Sequence, residues 1–94
     1  MDQRILETST EHLVPTTLPQ QAFGPNPLEW VKGADQPPVW AWVSWANAPA
    51  SRIPAVAAGW NDRVVCVEWE ARGGRRSVIV WRGAVTRRID RLSA

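Results

Sequence analysis

From Val39 to Trp45 the chain alternates: Val39, Ala41, Val43 and Trp45 share one side, and Trp40, Trp42 and Ser44 share the other. A period of two is the mark of a strand, because successive side chains leave opposite faces of the pleat. Val64–Glu70 repeats the pattern. There Val65, Val67 and Trp69 fall together, and Cys66, Glu68 and Glu70 oppose them, with the carboxylates marking the wetter face. In Arg76–Trp81, Val78 and Val80 stand against Ser77, Ile79 and Trp81. Arg52–Gly59, with Pro54 at an edge or bulge, and Val85–Ile89 complete the set. Four breaks separate these runs: a loop over Ala46–Ser51, an Asn-Asp turn at Trp60–Arg63, a hairpin at Gly73-Gly74 and a bend at Arg82–Ala84. Five short antiparallel strands with an inner face of valines and alanines predict an all-β domain closed into a small barrel.

The first 37 residues follow a different rule. Six of the eight prolines lie within the first 38 positions, separated by Thr16, Thr17, Gln20, Gln21 and Asn26. Each proline removes a backbone donor and holds its predecessor extended. Few apolar groups remain to offset the ordering entropy. The expectation is a proline-rich, mostly disordered arm over residues 1–37 and a barrel over residues 38–94. Two parts of the arm carry enough apolar surface to dock on the body, Leu13-Val14 and Leu28–Val31. A domain this small buries only about 60% of its unfolded surface. Docking of the arm or homo-oligomerisation would therefore strengthen it.

Composition narrows the chemistry. No apolar run reaches the ~18 residues of a membrane helix, and the N-terminus has acids where a leader would be apolar. The expected setting is the cytoplasm, away from membranes. One cysteine, Cys66, excludes an internal disulfide, and the one histidine, His12, lies far from it in the arm. No set of converging ligands suggests a metal, and no cofactor motif is present. Glu68 and Glu70 share a strand face as paired acids would, but the neighbouring arginines predict a salt-bridged surface instead.

Seven tryptophans and ten arginines against one lysine are the unusual counts. Residues 63–94 hold eight arginines and three acids, whereas residues 1–62 hold three bases and six acids. A guanidinium fork suits phosphates and carboxylates, so the basic half points to an anionic partner. Trp40, Trp42 and Trp81 on outward faces, together with Arg72, Arg75, Arg76 and Arg82, form the candidate binding surface. Such residues stack bases and neutralise phosphates, and they also anchor protein interfaces. Trp45 and Trp69 are expected to fill the core.

The order Val39-Trp40-Ala41, Ile53-Pro54-Ala55-Val56, Val65–Trp69 and Ser77–Val80 resembles the strands of Tudor and PWWP modules. Those are SH3-like barrels that bind methylated lysine peptides, arginine-rich tails or DNA. The resemblance covers residues 38–89. It gives Trp69 the place of a cage-type aromatic and puts the PWWP signature on Ser51-Arg52-Ile53-Pro54. A second likeness is to the plasmid-encoded type II dihydrofolate reductases, short SH3-like chains with a disordered arm that assemble four copies around one pore. Ala57–Trp60, Ser77–Trp81 and Ala84–Ile89 are similar to stretches of that family. Its pore motif Val-Gln-Ile-Tyr reads Val78-Ile79-Val80-Trp81 here, with Ile79 where the amide-pairing glutamine would be.

These readings converge on a non-catalytic SH3-like binding module for nucleic acid, an acidic protein surface or another protein partner. The alternative is a small oligomeric enzyme of the type II reductase kind.

Overall fold

A computed structural model describes residues 13–71 and 73–89. Residues 1–12 of the expected arm, with His12, lie outside it, as do Arg72 and residues 90–94. Six strands form one antiparallel sheet: β1 (Glu29–Trp30), β2 (Pro38–Trp45), β3 (Ala48–Trp60), β4 (Val64–Ala71), β5 (Gly74–Trp81) and β6 (Val85–Arg87). Their order is β5-β4-β3-β2-β6, with β1 added to the end of β3. Short 3-10 turns occupy Gln20–Phe23, Gly33–Asp35 and Arg82–Ala84. Among the described residues no helix is long and apolar enough to cross a membrane.

All five expected strands are present, and the fold is all-β. The alternation seen in β2 is the alternation of burial. Val39, Ala41, Val43 and Trp45 are buried with Ile53, Ala55, Ala57, Val65, Val67, Trp69, Val78 and Val80 in one core. Trp45 and Trp69 meet edge to face at 6.0 Å within it, a favoured aromatic geometry.

Three features differ from the sequence reading. The loop expected at Ala46–Ser51 is a two-residue turn, Ala46-Asn47, because β2 offers a partner edge as far as Trp45↔Ala48. β3 therefore runs thirteen residues and bends at two irregularities, one against β2 between Val43 and Trp45 and one against β4 between Ala57 and Gly59. Pro54 falls where β3 has β2 on one side and no strand on the other, a position a proline tolerates.

The outer face of β4 is also drier than its carboxylates suggested. Val64 and Cys66 are buried there, and only Glu68 and Glu70 reach solvent. The Trp30 ring lies over Gly59, the direct cross-strand neighbour of Cys66, and shields that end.

The third difference concerns residues 13–37. β5 and β6, the two ends of the sheet, do not pair with each other. Beyond Ala41, β2 has no β6 partner either. Residues 14–18 span this gap as a strap. The Thr16 N–H donates to the Ser44 carbonyl (2.9 Å), and the Ala46 N–H donates to the Val14 carbonyl (2.7 Å). On the far side the Leu18 N–H donates to the Ile79 carbonyl (3.0 Å), and the Ile79 N–H donates to Thr17 Oγ1 (2.9 Å). Arg76 Nη1 donates to the Leu13 carbonyl at 2.6 Å. Leu13-Val14 and Leu28–Val31, the two segments expected to dock, both contact the body, the latter through Trp30↔Gly59 and the Val31 N–H to Ala58 carbonyl bond (2.9 Å).

Candidate functional site

The strap, β2, β5 and the turn at Arg82–Ala84 leave a cleft of about 200 Å³ between them. Trp42 and Trp81 wall it, Ile79 and Val80 lie along β5, and Thr16, Thr17 and Ser44 supply its hydroxyls. Both indoles keep about half their surface in the open, 54% for Trp42 and 52% for Trp81. Trp42 faces outward because its neighbours Ala41 and Val43 are wholly buried, so alternation leaves it no other side.

On the outer face next to Trp42, aromatic rings and guanidinium groups alternate. Arg52 is the direct cross-strand partner of Trp42, and its guanidinium carbon sits 4.8 Å from the centre of the Trp40 ring. Arg88 approaches the same ring at 5.9 Å. Trp40 is half-buried between these two cations, held by attraction of each cation to the electron-rich ring face. Neither β2, β3 nor β6 contains an acid.

The structure brings together Trp40, Trp42 and Trp81 but not the arginines read from sequence. Arg75 is committed to its own strand pair, donating to Glu68 (2.7 Å), Glu70 (2.9 Å) and Gln36 Oε1 (3.1 Å). The bond to Glu68 leads in pushing its pKa further above the usual arginine range. The two acids thus form the salt-bridged surface expected of them. Arg76 is tied to Leu13, and Arg82 Nη1 donates to the Asn61 carbonyl at 2.7 Å. Trp69 is in the core at 7% exposure, which takes it out of any open cage. Arg72 lies outside the described residues.

Sequence reasoning missed Arg52 and Arg88. The signal for Arg52 was present in the pattern, because a hairpin joining β2 to β3 across Ala46-Asn47 sets Arg52 opposite Trp42. Shortening the expected loop would have revealed it.

Cys66 is buried in a valine run, and burial, aided by nearby Glu68, pushes its thiol pKa up. That favours the protonated form, whereas a nucleophile needs the thiolate. Among the described residues no group of three or more His, Cys, Asp or Glu is placed to hold a metal ion. Comparison with known protein families, curated proteins and solved structures finds no match for this chain.

Proposed function

We propose that this chain is a non-catalytic binding module on an SH3-like barrel that takes single-stranded nucleic acid across the outer face of β2. The carrying observation is the run Arg88, Trp40, Arg52, Trp42, in which cations and rings alternate towards the open cleft that Trp42 and Trp81 wall. Proteins that hold single strands combine aromatic platforms for the bases with basic groups for the backbone. The lack of acids on β2, β3 and β6 favours a phosphate chain over an apolar protein surface. The meander β2-β3-β4-β5, with β6 returning to β2, supports the barrel part of the reading.

The reductase alternative has one observation in its favour: Ile79, Val80 and Trp81 of the similar motif do line the cleft. Ile79 offers no amide to pair with a pterin or a nicotinamide. One titration separates the readings. Oligothymidylate should quench tryptophan fluorescence, and its affinity should fall steeply with salt as counterions are released. Trp42→Ala should weaken it about tenfold or more, in line with ~1–3 kcal/mol per stacked base. The same titration with NADPH and dihydrofolate should give no turnover. Oligonucleotide binding unaffected by Trp42→Ala, or turnover of dihydrofolate, would overturn the proposal.

A further inference from the structure

β6 places a cation opposite a core residue. Val85 pairs with Ala41 and Arg87 pairs with Val39, and both partners are core residues. Directly paired residues of an antiparallel ladder share a face. Arg87 therefore belongs to the inward face, which is mostly apolar but also carries Ser51 opposite Val43, Arg76 opposite Trp69 and Glu29 opposite Trp60. Its neighbours Thr86 and Arg88 face the other way, towards Trp40.

Arg87 stands at the rim of a cleft of about 280 Å³ at the end of the sheet where β6 and β5 fail to meet. The walls are apolar: Ala57, Trp60, Val65 and Val85. A second guanidinium, that of Arg82, borders the same space. It is positioned from two sides, by its backbone N–H to the Arg63 carbonyl (2.8 Å) and by Nη1 to the Asn61 carbonyl (2.7 Å). No carboxylate lines the cleft. Asp62 lies within electrostatic reach of Arg82, and it accepts a bond from Asn26 Nδ2 at 3.0 Å.

We propose that this cleft is a second binding site, for a small anion with a flat apolar body such as an aromatic carboxylate. The apolar floor and the Trp60 ring would take the body, and the forks of Arg87 and Arg82 would take the charge. The mouth of a small β-barrel is a usual place for such a ligand. Its volume, just below the ~300 Å³ at which small-molecule pockets begin, limits the occupant to about two fused rings. The site is separate from the nucleic-acid face, because Arg87 lines this cleft whereas Thr86 and Arg88 lie against Trp40 on the other side.

The test is an amide-resolved NMR titration with 2-naphthoate and, in parallel, with neutral 2-naphthamide. Naphthoate should shift the Val65 and Val85 amides and the Trp60 indole, and naphthamide should bind about tenfold more weakly or less. Arg87→Gln should cost naphthoate about tenfold in affinity, the scale of one charge-assisted hydrogen bond, with amide dispersion unchanged. Should that variant not fold, the comparison of acid and amide on the natural chain still decides. Equal affinity for acid and amide, an unchanged Kd in a folded Arg87→Gln variant, or shifts confined to Trp42 and Trp81 would each overturn the proposal.

Discussion

Asn61 makes four hydrogen bonds from a side chain that is 7% exposed. Its Oδ1 accepts from the Arg63 and Val64 N–H groups (2.8 and 2.9 Å), which shapes the turn between β3 and β4. Its Nδ2 donates to the carbonyls of Phe23 (2.9 Å) and Asn26 (2.8 Å). The first pair is what an Asn-Asp turn promises, and the sequence alone pointed there. The second pair is invisible to any local reading, since it reaches back to residues 23 and 26. Asn61→Ala would leave several buried backbone groups unpaired, at ~1–3 kcal/mol for each one that water fails to reach. The expected loss is roughly 2–4 kcal/mol in urea unfolding. Asn61→Asp should fare no better, because it sets a carboxylate against two carbonyl oxygens. A change below about 1 kcal/mol for Asn61→Ala would show that solvent satisfies those groups.

Strands with one dry face were legible because burial and alternation coincide. β2, β4 and β5 carry four, three and two apolar residues at a spacing of two, and all of those residues are in the core. β1 has only two residues, too few to show a period, and it exists through its fit to β3. The fit depends on a glycine. A Cβ on Gly59 would lie 2.5 Å from Cε3 of Trp30, so the indole lies flat only because that atom is missing. Gly59→Ala should lift Trp30 and β1 from β3, costing about 1–3 kcal/mol as overpacking does. In a Trp30→Ala background the same change should cost much less, giving a clear coupling in a double-mutant cycle. Additive losses would mean that the ring is not what makes Gly59 necessary. The face beside β2 was half legible for a similar reason. Alternation revealed Trp40 and Trp42, whereas Arg52 and Arg88 come from the register of three strands, which composition does not encode.

At the scale of the molecule, the least legible feature is the strap. Prolines and small polar residues suggested a chain with nothing to bury, and on side chains alone that is sound. Residues 14–18 are instead held largely by main-chain bonds to Ser44, Ala46 and Ile79, which leave almost no trace in residue type. These bonds also occupy strand edges that would otherwise be open templates for another chain. Deleting the chain through Leu18 should therefore lower the urea midpoint and promote self-association, whereas deletion through His12 should leave both nearer those of the full chain. Light scattering and unfolding curves of the two truncations provide the measurement. A monomeric, equally stable protein lacking residues 1–18 would show that the strap adds little.

The strap has a further consequence for how the protein is made. It leaves the ribosome before its partners, which arrive 28 residues later at Ser44 and 62 residues later at Ile79. Contacts so distant along the chain require long loops to close first, which slows folding. Until β5 emerges, a nascent chain holding β2, β3 and β4 has no second edge for residues 14–18 to bridge. The strap is thus seated after strands that are synthesised later than it, and emergence of β5 sets the earliest moment at which the strap can take its final place.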